Sequence, residues 1–172
     1  MDIIVTRRLV LRSPVAQDLQ GLQDHVLSDP DVMRFAFSGN PLSSAQSKAF
    51  FDSNFDHDQT GRKLGVLIER ETKELTGFAG LVPCGALGQP DFELGFVLRR
   101  DAWGRGYATE IGLGQIEYGF STLHLKRVLA QVSPKNHGSI STLRKLGMAF
   151  CSAVHSEERG ERLVYAVHSL SV

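Results

Sequence analysis

Residues Asp91 to Glu110 read DFELGFVLRRDAWGRGYATE, and the rest of the chain is understood outward from them. Phe92, Leu94, Phe96 and Leu98 alternate with Glu93, Gly95 and Val97, the period-two pattern of a strand with one apolar face. The predicted strand, Asp91 to Arg99, runs into a loop with glycines at 104 and 106, and a long helix is predicted from Gly106 to Ser121. Glycine accepts positive φ and lets backbone approach a ligand closely. The first N–H groups of a helix have no partner within it and sit at the positive end of its dipole. Loop and helix together therefore form an anion site, with a pyrophosphate as the natural guest. Two common pyrophosphate motifs do not fit. Thr109 stands where a dinucleotide fold needs its third glycine, and Lys126 to Leu129, about 20 residues on, holds no ribose-binding acid. Tyr107-Ala108 replaces the Lys-Ser or Lys-Thr of a P-loop.

Outward from this stretch, Ile3 to Leu11 reads as a first strand. Ser13-Pro14 signals a helix start, with Val15, Leu19, Leu22 and Val26 at helical spacing and a stop before Pro30. Ser44 to Phe55 fits a second helix. Lys63 to Arg70 and Leu75 to Cys84 are strands joined by the ETKEL turn, and Ala86 to Pro90 is a loop. Beyond the long helix come a strand at Arg127 to Val132 and a helix at Asn136 to Leu146. Arg144 and Lys145 in its last turn and Gly147 beyond it mark that helix's end. Ala149 to His155 and Leu163 to His168 close the chain, joined by the polar SEERGER turn. The order β-α-α-β-β-β-α-β-α-β-β specifies an α/β fold with a mixed sheet and helices on its faces. On the long helix, Ala108, Gly112, Ile116, Gly119, Phe120 and Leu123 form the expected core stripe, with Glu110, Gly114, Glu117 and Ser121 opposite.

With 172 residues and no Pro/Gly/Ser linker, one domain spanning 1–172 is expected. The 19 basic and 19 acidic side chains cancel, so nucleic acid is not an expected partner. Cys84 and Cys151 form no CxxC pair, and no two of the six histidines have metal-ligand spacing on a helix, so no metal is expected. The N-terminal segment carries arginines inside its apolar run, unlike a signal peptide, and no run is long enough to span a membrane. A cytoplasmic protein without a membrane partner is expected.

The octet Trp103-Gly104-Arg105-Gly106-Tyr107-Ala108-Thr109-Glu110 resembles the coenzyme A loop of the GNAT superfamily of N-acetyltransferases. Trp103 stands where that loop usually has Gln or Arg, a departure shared with the branch resembling the ribosomal-protein N-terminal-alanine acetyltransferases. Three further matches fall in order: Thr6 to Arg12, Asn136-x-x-Ser139 followed by Lys145-Leu146-Gly147-Met148, and Glu161 with Tyr165. The resemblance covers nearly the whole chain. It implies a mainly antiparallel sheet with helices on both faces, acetyl-CoA as co-substrate, and transfer of acetyl to a primary amine by direct attack in a ternary complex.

The resemblance also implies roles. The amide of Val97 or Leu98 would polarise the thioester carbonyl. Gly104, Arg105, Gly106, Tyr107, Ala108 and Thr109 would surround the pyrophosphate, with the Arg105 side chain adding charge or remaining solvated. Asn136 would hold the pantetheine arm, cap its helix, or both. Glu93 is a candidate base, against the alternative of a structural hydrogen bond beneath the sheet; Glu161 or a water relay is the other candidate. Many family members protonate the leaving thiolate with a tyrosine where this chain has Leu143, so Ser139 takes that role. Segments Met33 to Asn54 and His155 to Arg162 would wall the acceptor groove. Phe35, Phe37, Phe50, Asp52, Asp56, Asp58, Glu157, Glu158 and Glu161 would give it an acidic, partly aromatic rim suited to a peptide N-terminus or a small cationic amine. A sensor or scaffold that binds acyl-CoA without turnover is the alternative. Monomer and homodimer are both compatible with the sequence.

Overall fold

The computed structural model describes residues 1–170. Strands β1 (Asp2–Val5), β2 (Leu9–Arg12), β3 (Gly65–Glu69), β4 (Leu75–Cys84), β5 (Asp91–Leu98), β6 (Arg127–Val132), β7 (Ala149–Ser156) and β8 (Gly160–His168) form one eight-stranded sheet in the order β1-β2-β3-β4-β5-β6-β8-β7. All neighbours are antiparallel except β5 and β6. Helices α1 (Asp18–Leu22), α2 (Pro30–Met33) and α3 (Ser44–Asn54) cover one face, where Leu22, Val26, Met33, Phe51 and Phe55 pack on Val66 and Phe78. Helices α4 (Tyr107–Ser121) and α5 (His137–Lys145) cover the other. There Ile111 packs near Leu67 and Leu98, while Leu143 and Leu146 pack with Leu81, Leu94 and Val128. The sheet is mainly antiparallel with helices on both faces.

The one parallel junction shapes the site. β4 and β5 pair continuously from Gly77↔Leu98 to Cys84↔Asp91, whereas β5 and β6 are in register only at Glu93↔Leu129. Beyond Glu93 the two strands splay, and the sheet opens into a wedge.

Elsewhere the sequence reading needs correction. The predicted strand Ile3 to Leu11 is two strands, because Thr6-Arg7-Arg8 turns onto Glu110. The Glu110 carboxylate accepts from Thr6 Oγ1 (2.6 Å), Arg8 N (2.7 Å) and Arg8 Nε (2.7 Å). The first helix begins not at Ser13-Pro14 but at Asp18, whose carboxylate accepts from Val15 N at 2.7 Å and from Arg12 at 2.8 Å. Ser13 instead donates to Asp56, which is fully buried. The helix widens into a π-helical turn over Gln23–Leu27, and α2 follows past the expected stop, with Asp29 accepting from Asp31 N and Val32 N and Pro30 in its first turn. α3 starts with a capping box, Ser43 and Gln46 bonding reciprocally.

On α4 the buried residues are Tyr107, Ile111, Gly112, Gln115 and Gly119, a stripe rotated from the predicted one. The cause is Tyr107: its ring is 1% exposed and its hydroxyl donates to Glu69. Satisfying that phenol takes Tyr107 inward and leaves Ala108 half-buried. Gly112 permits the close approach of α5, since a Cβ there would meet Leu146 Cδ1 at 2.5 Å.

Candidate active site

The wedge between β5 and β6 opens into a cavity of about 900 Å³. Its floor is β5. Arg99 N donates to Thr76 O at 2.8 Å, which fixes the phase of β5. By strand alternation, Arg99, Val97, Gly95 and Glu93 turn their backbone N–H and C=O groups onto β4, while Leu98 and Phe96 turn theirs the other way, into the wedge. The Leu98 carbonyl on that side accepts from Trp103 Nε1 at 2.9 Å. The N–H groups of Phe96 and Leu98 therefore face the cavity where β6 no longer reaches them.

One end of the cavity is the stretch Trp103 to Thr109. Gly104 and Gly106 take φ of 71° and 80°, the left-handed region, and Gly106 opens α4 with no side chain capping the helix. A Cβ on Gly104 would meet nothing within 4 Å, so the loop backbone is open on that side. Tyr107, Ala108 and Thr109 line the cavity together with Gly104 and Gly106, and among the described residues no side chain bonds to the N-terminus of α4. The side chains around this loop anchor it from behind. Arg8 and Arg105 each lie 4.6 Å from the Tyr107 ring centroid, on a phenol already fixed to Glu69. Arg105 also reaches Glu69 at 3.1 Å, and Arg8 Nη1 donates to the Arg105 carbonyl at 2.8 Å. Burial first, then the charge and hydrogen bond of Glu69, push the Tyr107 pKa up. The Arg105 side chain is thus half exposed, held to Glu69 and Tyr107, and does not line the cavity.

Glu93 lies at the narrow end of the wedge. Its carboxylate accepts from Gln131 Nε2 and stands 3.8 Å from Arg159 Nη1. Burial pushes its pKa above the ordinary glutamate value, against the opposing pull of Gln131, Arg159 and Arg162. Across the wedge, Asn136 Oδ1 accepts from Ser139 N at 3.2 Å, capping α5, while Asn136 Nδ2 donates to Ser139 Oγ at 3.0 Å. The Ser139 hydroxyl oxygen is occupied as an acceptor and its hydrogen is left for another partner. Asn136, Ser139, Thr142 and Leu143 all line the cavity.

Glu161 does not join this constellation. It is exposed, and it alternates with Arg162 on β8, so it projects from the sheet face opposite to Glu93. Tyr165 is buried among Leu143, Leu146 and Met148. The acidic residues expected at the rim lie elsewhere, and Asp31 is the aspartate that lines the cavity among the described residues. Asp56 accepts from Ser13 and from Thr60 N and Gly61 N, Asp58 pairs with Lys63, Asp52 with Lys48, and Phe50 packs against Phe37, Phe55 and Phe78. None of Glu157, Glu158 and Glu161 lines the cavity.

Of the rim residues expected, Phe35 and Phe37, just after α2, do line the cavity at its Glu93 end; Arg34, Arg159 from the β7–β8 turn and Gln131 beneath join them there, and sequence reasoning did not assign these three. Arg162 is 6% exposed, its guanidinium donating to the carbonyls of Phe35 (3.1 Å) and Phe37 (3.0 Å). One signal was available: Arg162 shares the phase of the buried Val164 and Ala166, and a charge in phase with core residues is placed there for a partner. Among the described residues no group of three or more His, Cys, Asp or Glu gathers to hold a metal, and no helix is long and apolar enough to cross a membrane.

Comparison with known proteins bears on what such a wedge does. Residues 8–149 match the family model described as the acetyltransferase (GNAT) domain. The chain is 30% identical over 145 residues to an uncharacterised N-acetyltransferase of Bacillus subtilis, YnaD, covering 84% of this chain and 81% of that one. Among solved structures, a GNAT-family acetyltransferase of Bacillus anthracis superposes with a TM-score of 0.80 at 24% identity, covering 96% of this chain and 97% of that one. RimL, a ribosomal L7/L12 alpha-N-protein acetyltransferase solved with coenzyme A, does so with a TM-score of 0.80 at 14% identity, covering 98% of each chain.

Proposed function

This chain belongs to the GNAT family of acetyltransferases, and from that premise we propose that it transfers acetyl from acetyl-CoA to a primary amine by direct attack within a ternary complex. The observation that carries the reading is the open edge of β5, with an uncapped helix N-terminus at one end of its cavity and a buried carboxylate at the other.

The residues present suit acetyl-CoA as co-substrate. The N–H groups of Gly106, Tyr107, Ala108 and Thr109, at the start of α4, would receive the pyrophosphate, with Gly104 and Arg105 contributing loop backbone. The Leu98 N–H would pair with the pantetheine arm as a missing strand would, and the Phe96 N–H, two residues nearer Glu93, would polarise the thioester carbonyl. Val97 contributes the strand's other face; its own N–H is turned to β4. Asn136 holds Ser139, and the Ser139 hydroxyl donates its proton to the departing thiolate. Glu93 accepts a proton from the incoming amine. Its raised pKa brings the carboxylate closer to that of an amine and makes it a stronger base. A protein α-amine, with an ordinary pKa of about 8, is easier for such a base than a lysine at about 10.4. RimL, of the same fold, is a ribosomal L7/L12 alpha-N-protein acetyltransferase, which supports an acceptor of this kind.

Thiol release from acetyl-CoA, measured with N-terminal peptides, lysine peptides and small amines, tests the reading. Release that depends on one acceptor class supports it. Acetyl-CoA binding with no release for any amine leaves the sensor alternative standing in its place, and failure to bind acetyl-CoA refutes it.

A further inference from the structure

A second cavity, of about 330 Å³, opens beside the acceptor end of the first and shares Arg34, Phe35, Phe37, Ser133 and Arg159 with it. Among the described residues its charged lining is Arg34, Lys135, Arg159 and Arg162, with no carboxylate. The chain as a whole carries equal numbers of acidic and basic side chains, so this is a local arrangement and not a general surplus. None of Gly104 to Thr109 lines this second cavity, so it does not belong to the phosphate end of the groove.

Two features show that the inner pair, Arg159 and Arg162, wants a partner, while Arg34 and Lys135 stand exposed at the mouth. Arg162 is 6% exposed and spends its two terminal nitrogens on the carbonyls of Phe35 and Phe37, while its buried Nε has no acceptor. Arg159 also has a buried Nε without an acceptor, and its nearest carboxylate is Glu93 at 3.8 Å. Burying guanidinium groups side by side is costly unless an anion offsets them. Burial and the neighbouring charge of Arg159 both push the Arg162 pKa down, the same unfavourable crowding seen from the other side. Glu93 alone does not balance the two inner arginines, and Gln131 already engages it.

We propose that this basic pocket holds an anionic oxygen group carried by the acceptor itself, a few bonds from its reacting amine. The inference rests on the acetyltransferase reading and names its acceptor class. Arg159 stands between the two requirements. Its guanidinium adjoins Glu93, where the amine loses its proton, and lines the pocket where Arg34 and Lys135 meet the anion. A molecule with amine and carboxylate on the same or neighbouring carbons satisfies Glu93 and Arg159 together. The fork of a guanidinium suits a carboxylate in particular. Arg162 is a positioning residue: through its two carbonyl contacts it holds the Phe35–Phe37 segment that closes the pocket. A cationic acceptor, expected from the acidic segments of the sequence, would meet repulsion here.

The test compares matched acceptors on the full chain with saturating acetyl-CoA. Alanine is set against alaninamide, and N-terminal peptides with aspartate second against the same peptides with asparagine. The carboxylate member of at least one pair should show kcat/KM about tenfold or more above its amide. Preference within the free amino acids assigns the anion to a small acceptor, and preference within the peptides assigns it to an acidic side chain. Lys135→Gln should raise KM for the favoured acceptor severalfold or more while KM for acetyl-CoA and the thermal midpoint stay as they were. Equal turnover of carboxylates and amides, or preference for polyamines, overturns the inference and leaves acetyl transfer standing. Absence of acetyl-CoA binding overturns both.

Discussion

At one end of the groove, residues 103–109 offer backbone N–H groups from one unbroken stretch of chain; at the other, Arg34, Glu93, Gln131, Lys135 and Arg159 are side chains that meet only because the sheet folds them together. The first end is a conformation. Its binding groups are the same for any sequence that can adopt left-handed φ at Gly104 and Gly106 and start a helix there. The second end is a chemistry, set by which side chains four separate segments deliver. A backbone site suits the acetyl-CoA of the proposed reaction, and a side-chain site suits the acceptor that gives it specificity.

Substitutions at the two ends should therefore fail in different ways. The largest effect is expected at the chemical end. Glu93→Gln should lower kcat/KM by about 10²–10⁴-fold with little change in acetyl-CoA affinity. A general base works only when deprotonated, so the wild-type rate should rise with pH through an acidic limb lying above the ordinary glutamate value, because burial raises the Glu93 pKa. The variant should lack that limb in a pH–rate profile. At the backbone end, Gly106→Ala forces an L side chain to φ of 80°. Strain of about 1–2 kcal/mol there should weaken acetyl-CoA binding by roughly tenfold in calorimetry and spare the ranking of acceptors.

Behind the loop, Glu110→Ala removes the acceptor for Thr6 and Arg8 and should cost about 1–3 kcal/mol of stability in denaturant unfolding. Burial pushes the Glu110 pKa up, but the bonds from Thr6 and Arg8 and the charge of Arg8 outweigh it and hold the folded value below the ordinary one. The contribution is thus present above the unfolded pKa and is lost as pH falls through the folded one, so wild type and variant should converge in acid. The smallest effect is expected at Glu161. It is exposed on the opposite sheet face, and Glu161→Gln should leave kcat/KM and stability within about 0.5 kcal/mol of wild type.

This division also explains what the sequence reveals. The bounds of β4 and β6 and the position of α5 follow from local patterns, and the octet announces the phosphate end because backbone sites need particular residues at particular spacings. Glu110 is part of the same octet, yet its task, bending the chain between β1 and β2, concerns residues about a hundred positions away and carries no local mark. The phase of β5 is likewise tertiary. Alternation of side chains shows two faces, but which N–H groups are free depends on the side from which β4 pairs and the point where β6 departs. The acceptor end is hardest to read. Acidic residues close in sequence to the groove turn out to be paired with Ser13, Lys48 or Lys63, and Arg159 sits in what reads as a solvated turn.

The most direct test of this arrangement is an amide-resolved NMR titration of the ¹⁵N-labelled chain with coenzyme A. The N–H resonances of Phe96, Leu98 and residues 106–109 should shift most, with Asn136 and Ser139 following, while those of β1, β2 and β7 stay in place. Binding that shifts a different set of amides, or no binding at all, would contradict the assignment of the β5–β6 wedge as the acetyl-transfer site.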